Sequence, residues 1–193
     1  MKRNLVIAVW MTIATTVLLG IIYPLVVTEL AQWIFPRQAN GELISAGGKL
    51  QGSSLIGQPF SSPGYFRSRP SAAGAAGYDP DAPSGGASNL GPTNSALIAR
   101  IKSDVQHAQA ENPGAAIPAD MVTTSGSGLD PHISPASAEF QVRRVAKERG
   151  MNEAEVRLLV QRHTEGRQLG FLGEPRINVL ELNLELNAMH PMQ

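Results

Sequence analysis

Ser125, Ser127, Asp130 and His132 stand within eight residues in TSGSGLDPHISP, and together they offer a nucleophile, a base and a carboxylate. Hydrolysis by such a set needs serine, histidine and aspartate aligned donor to acceptor, normally gathered from distant parts of a fold. Neighbours on one turn cannot form that series, and the G-x-S-x-G elbow is not matched. The simpler reading is a tight loop whose Ser, Asp and His side chains bond local backbone ahead of a helix. Gly48-Lys49 invites a phosphate-loop reading, but Leu43 and Leu50 occupy the places where that loop needs Gly and Ser or Thr. The 4 histidines show no pairing at metal-ligand spacing, and the absence of cysteine removes thiolate nucleophiles, thiolate metal sites and disulfides together. Arg67 and Arg69 follow Tyr65 and Phe66 in GYFRSRPSAAG, where planar guanidinium donors could be offered to carboxylates or carbonyls.

These side chains lie on stretches that need positioning by other elements. Gly57 to Asn94 has 19 Gly, Pro or Ser among 38 residues and carries neither a helical nor an alternating apolar period. Its aromatics Tyr65, Phe66 and Tyr78 are anchors that a flexible linker does not need. The expectation is an ordered, partner-facing loop, because loops of this length in compact domains are either disordered or functional. Thr93 or Asn94 caps a helix carrying Leu97, Ile98, Ile101 and Val105, stopped at Pro113. A second helix is expected from Ala136 to about Arg149, with Ser134 as cap, Pro135 at its start and Gly150 closing it. A third begins at Asn152 with Glu155 and ends at Gly166, side by side with the second. In INVLELNLEL, Leu180, Leu182, Leu184 and Leu186 alternate with polar residues, so residues 177–186 are expected as a strand, although Asn178 with Glu181 would also start a helix.

Leu5 to Val27 is 23 residues without a formal charge. As a helix it reaches roughly 34 Å, enough to cross a hydrocarbon layer of about 30 Å. Lys2 and Arg3 precede it and Glu29 is the first charge beyond, so the positive-inside rule keeps the N-terminus in the cytoplasm. The run is longer than a signal-peptide core and lacks a small-residue cleavage site, which favours a retained anchor. Ala8, Thr12, Thr16 and Gly20 form a small-residue stripe suited to docking on another membrane helix. Pro24 is expected to bend or end the helix, with Trp33 and Phe35 at the outer interface. The organisation is thus a cytoplasmic N-terminus (1–4), a transmembrane helix (5–27), a connector (28–52) and an extracytoplasmic domain (53–193). That domain is expected to be a single small α/β (α+β) unit with long Gly/Pro/Ser-rich loops. Beyond Arg3 the chain carries 14 basic and 16 acidic residues, which gives no reason to expect nucleic acid.

The runs GSSLIGQPF, YFRSRPSAAG, SNLGPTN (Ser88 to Asn94) and SGSGLDPHISP (Ser125 to Pro135), with RVAKERG and INVLELNLEL, follow one another behind a single span. In this order they closely resemble the C-subunit family of the Kdp potassium-transporting ATPase, over essentially the whole chain. The resemblance implies a bacterial inner-membrane complex for potassium uptake. Its A subunit is channel-like, its B subunit is a P-type ATPase, and a small F subunit accompanies them. The complex uses ATP, Mg2+ and K+, with no cofactor or metal expected on this chain itself and no catalytic site of its own. The implied role is assembly and stabilisation of the A and B subunits and capping of the outward ion entrance. The family alternative is a catalytic chaperone that raises the B subunit's ATP affinity, for which Ser84-Gly85-Gly86 is faintly similar to a nucleotide-sensing signature. An anchored periplasmic hydrolase is the remote alternative. Candidate partner contacts are Ala8, Thr12, Thr16 and Gly20 on the span and Tyr65, Phe66, Arg67, Arg69, Tyr78, Asn89, Asn94, Asp130 and His132 on the loops.

Overall fold

A computed structural model describes residues 1–82 and 85–192, so Ser84 of the Ser84-Gly85-Gly86 run lies outside the described residues. The chain divides into two compact units, Met1–Gln51 and Gly52–Gln193.

The first unit is dominated by one helix, Lys2–Ile34, long and apolar enough by length and composition to cross a membrane. It runs as α1 (Lys2–Thr15), a π-helical stretch (Thr16–Ile22) and α2 (Tyr23–Ile34). Of the two outcomes expected at Pro24, a bend or an end, the helix does not end there. Proline removes one backbone donor and crowds the preceding turn, and the widened π turn directly before it accommodates both. A short helix α3 (Pro36–Ala39) and a hairpin, β1 (Leu43–Ala46) with β2 (Lys49–Ser53), follow.

The second unit packs helices against a small antiparallel sheet. The helix α4 (Ser95–Glu111) starts where Asn94 Oδ1 accepts from the amide of Ala96 at 2.8 Å. α5 (Pro135–Arg149) is capped by Ser134 Oγ, which accepts from Ser137 N at 3.0 Å, and is closed by Gly150 at φ 63°. Asn152 and Glu155 form a capping box for α6 (Glu153–Arg162), which packs on α5 and stops short of the expected Gly166. Thr164–Glu165 (β4) follows at once: Thr164 Oγ1 bonds Val160 O, and Thr164 pairs with Ile177, so sheet pairing takes over from the helix.

The sheet order is β3-β5-β4, with β3 at His132–Ile133 and β5 at Arg176–Asn178. Its register sets Ile133 against Ile177 and Glu165 against Arg176. The expected strand over 177–186 is corrected: β5 ends at Asn178, and Val179–Met189 is helix α7. Asn178 Oδ1 accepts from Glu181 N at 3.2 Å, the helix-starting alternative. Buried positions are Val179, Leu180, Leu182, Asn183 and Leu186, a three-and-four spacing rather than every second residue. Asn183 imitated a solvent-facing position because it is polar, yet it is almost fully buried. The core joins Val142 and Val145 of α5, Val156 and Leu159 of α6, Ile177 and Leu182 of the tail, and Phe66 of the long loop.

Candidate functional site

The loop from Gly57 is ordered by side chains that replace a missing neighbouring strand. Asn183 Oδ1 accepts from Phe66 N at 2.9 Å and its Nδ2 donates to Phe66 O at 2.8 Å. Gln141 does the same for the next residue: its Oε1 accepts from Arg67 N at 2.8 Å and its Nε2 donates to Arg67 O at 3.1 Å. Two buried carboxamides thus satisfy consecutive peptide groups, which buried backbone requires and which no sheet supplies at this point. Phe66 is fully buried beneath them, so it serves the core rather than a partner surface.

Arg144 of α5 draws the same segment down. Its Nε donates to Glu111 Oε1 at 2.7 Å, its Nη2 to Gln141 Oε1 at 2.7 Å, and its Nη1 to Tyr65 O at 2.9 Å and also to Pro63 O. Arg149 donates to Gly64 O at 2.5 Å and lies 4.7 Å from the centre of the Tyr65 ring. Tyr65 in turn tilts against Phe60 and reaches Asn187 Oδ1 at 3.2 Å.

The two turn-rich stretches meet face to face. Ser71 Oγ donates to Gly128 O at 2.6 Å and accepts from the amides of Ala73 and Tyr78. Gly57 N donates to Leu129 O at 2.8 Å. Gly86 lies so near the other loop that an added Cβ would sit 1.3 Å from Ser127 O. Tyr78, in the left-handed region at φ 58°, donates its hydroxyl to Arg69 O at 2.6 Å. Burial pushes that phenol up to about 12.

Arg69 Nη1 reaches Asp130 Oδ2 at 3.2 Å and its Nη2 reaches Thr124 O at 3.3 Å. Asp130 Oδ1 accepts from His132 N at 3.0 Å, with His132 Nδ1 at 3.4 Å. Burial alone would raise the Asp130 carboxyl, but hydrogen bonds from His132 and the Arg69 charge outweigh it and hold the group below its ordinary value. Asp120 behaves alike: burial opposes ionisation, and the polar groups gathered at the start of α5 overcome it. Its carboxylate accepts from Ser134 N at 2.8 Å and Ser134 Oγ at 3.0 Å. An open hollow of about 530 Å3 lies here, lined among others by Arg69, Asp120, Asp130, His132 and Arg176.

The structure therefore brings Arg69, Tyr78, Asp130 and His132 into one cluster and sets Tyr65 and Arg67 beside the Arg144 hub. Arg67 pairs with Glu111 at 3.1 Å. The carboxylate and carbonyl acceptors expected for Arg67 and Arg69 are thus supplied within this chain. Of the hydroxyls that suggested hydrolysis, Ser127 Oγ accepts from Leu129 N at 3.1 Å within its own turn, and Ser125 is buried. Asn89 is exposed at φ 51° and stands apart, while Asn94 caps α4. Ala8, Thr12, Thr16 and Gly20 belong to the first unit, where the helix buries no residue of its own. A Cβ on Gly20 would lie 3.8 Å from Thr16 Cγ2, so these two share a face.

Sequence reasoning missed Gln141, Asn183, Arg144 and Glu111. Gln141 carried one readable signal, since it lies four residues before Val145 on the apolar face of α5. Arg144 carried none that separated it from Arg143.

The family described as K+-transporting ATPase, c chain, matches residues 5–188. A potassium-transporting ATPase KdpC subunit from Koribacter versatilis is 62% identical over 192 residues, covering 100% of this chain and 98% of that protein. Subunits of the same name are 60% identical in Caulobacter vibrioides, over 91% of this chain and 88% of that protein, and 56% identical in Methylococcus capsulatus, over 94% and 96%. Because the match runs through the apolar helix, both interlocked loops and the tail that holds them, the chain belongs to the KdpC family of K+-transporting ATPase subunits.

Proposed function

We propose that this chain is a non-catalytic assembly subunit of a potassium-transporting P-type ATPase. Its apolar helix crosses the membrane with Lys2 and Arg3 inside, and its second unit lies outside as a shaped cap on the ion-translocating subunit. The observation that carries this reading is the interlocking of Gly57, Arg69, Ser71 and Gly86 with the stretch from Thr124 to Asp130. Long irregular chain is held rigid by Gln141, Asn183, Arg144 and the Ser71–Gly128 bond, while Arg69, Asp130 and His132 are engaged with one another. Rigid loops on a helical scaffold suit recognition. The small-residue stripe at Ala8, Thr12, Thr16 and Gly20 suits close docking of the helix on the same partner. The complex would supply the ATP, Mg2+ and K+ sites.

Hydrogen exchange of the purified full chain, alone and within the complex, tests this. Added protection over 57–94 and 125–134 is expected on assembly, with no change in the KM for ATP once assembly is complete. Unchanged exchange in both stretches would refute the cap. A KM for ATP that moves when the assembled loop face is altered would favour the chaperone role instead.

A further inference from the structure

Between β4 and β5 the chain makes an excursion, RQLGFLGE (167–174), that ends in apolar side chains pointing away from the core. Leu169 is 83% exposed, Phe171 68% and Leu172 47%. Such residues on a loose loop would be unremarkable, but this tip is fixed three ways. Gln168 and Leu172 exchange both backbone hydrogen bonds at 2.9 Å. Arg167 Nη2 lies 2.7 Å from both carboxylate oxygens of Glu174. One step lower, Arg176 Nε donates to Glu165 Oε2 at 2.9 Å across the register pair. Leu169 itself is held at φ 52°, a left-handed conformation that disfavours a leucine.

We propose that the Leu169–Leu172 tip inserts into an apolar hollow on a partner subunit of the ATPase complex, with Leu169 and Phe171 as its anchors. A lipid surface would ask only for apolar area and would reward basic side chains left free for anionic headgroups. Here both flanking arginines are neutralised by carboxylates of the same chain, so the rim is charge-balanced, as suits the polar rim of a protein interface. Fixing the backbone in advance lowers the ordering cost of binding, a gain that a complementary protein hollow exploits and a fluid bilayer does not. This contact is independent of whether the loop face caps an ion entrance.

The chain has no cysteine, so F171C provides a unique labelling position. With an environment-sensitive fluorophore there, the full-length chain in mild detergent is titrated with the purified partner subunits, and separately mixed with vesicles containing spin-labelled lipid. A blue shift and loss of iodide quenching on adding partner subunits is expected, with no quenching by the spin-labelled lipid. An unchanged spectrum in the assembled complex would overturn the proposal. So would a shift that appears with vesicles alone and is quenched by their spin labels, which would assign the tip to lipid. In parallel, L169S/F171S should weaken association with the partner subunits about tenfold or more, as loss of buried apolar anchors does. L158S, at a leucine 57% exposed on α6, should leave it unchanged. Equal effects of the two would also count against the tip.

Discussion

Glu111 is shared by two arginines in different surroundings, so exchanging each for methionine separates buried from exposed pairing on a single carboxylate. The Arg144 side chain is 9% exposed and bonds Glu111, Gln141 and the carbonyls of Pro63 and Tyr65, whereas the Arg67 side chain is 42% exposed and reaches Glu111 at 3.1 Å. Removing one member of a buried ion pair costs about 3–5 kcal/mol, because its partners remain desolvated. Arg67 still faces Glu111 after Arg144→Met, which places the loss near the lower end, about 3 kcal/mol. Arg67→Met removes a half-exposed pair worth about 0–1 kcal/mol. For a domain of this size the first change lowers Tm by roughly 10 °C and the second by at most about 3 °C. The assay is thermal unfolding of the full chain in detergent, followed by far-ultraviolet circular dichroism. Hydrogen exchange at the amides of 64–67 would show whether the loop detaches first. Equal destabilisation by the two substitutions, or a loss below about 1 kcal/mol for Arg144→Met, would refute the hub assigned to Arg144.

Gly86→Ala should push the two loops apart, since its Cβ would fall 1.3 Å from Ser127 O, and amides over 71–79 and 125–130 should lose protection. Gly91→Ala meets nothing within 4 Å and should leave exchange unchanged; equal behaviour of the two variants would contradict the close approach. Acid should unfold the domain through Asp120 and Asp130, whose folded values lie below the ordinary 3.8. A depressed carboxylate stabilises fully above its unfolded value and loses that contribution as pH falls through the folded one. Denaturant midpoints should therefore hold above about pH 5 and fall below about pH 4. Asp120→Asn and Asp130→Asn should each flatten that fall, and an unchanged acid slope in both would show that these groups do not carry it.

Elements fixed by neighbours a few residues apart were legible in the chain. Asn94, Ser134 and Asn152 cap helices at the positions their types suggest, because a cap needs only its own side chain and an amide two or three residues on. The uncharged run from Leu5 likewise declared a long apolar helix, since length and composition suffice for that. The tail was misread because alternation of leucine with Asn183 and Glu181 looks the same whether the polar residues face water or a buried peptide group. Only the loop carrying Phe66, 117 positions away, makes burial of Asn183 favourable.

Sequence by itself therefore settled the long apolar helix, the caps at Ser134 and Asn152 and the family, and narrowed the third cap to Thr93 or Asn94. The tertiary structure decided which polar groups lie inside. Gln141 and Asn183 act as a substitute strand edge, Arg67 and Arg69 find their acceptors within the chain, and Leu169 and Phe171 remain outside. The physical reason is that a buried polar atom is tolerable only opposite a partner, and those partners come from residues far away in the chain.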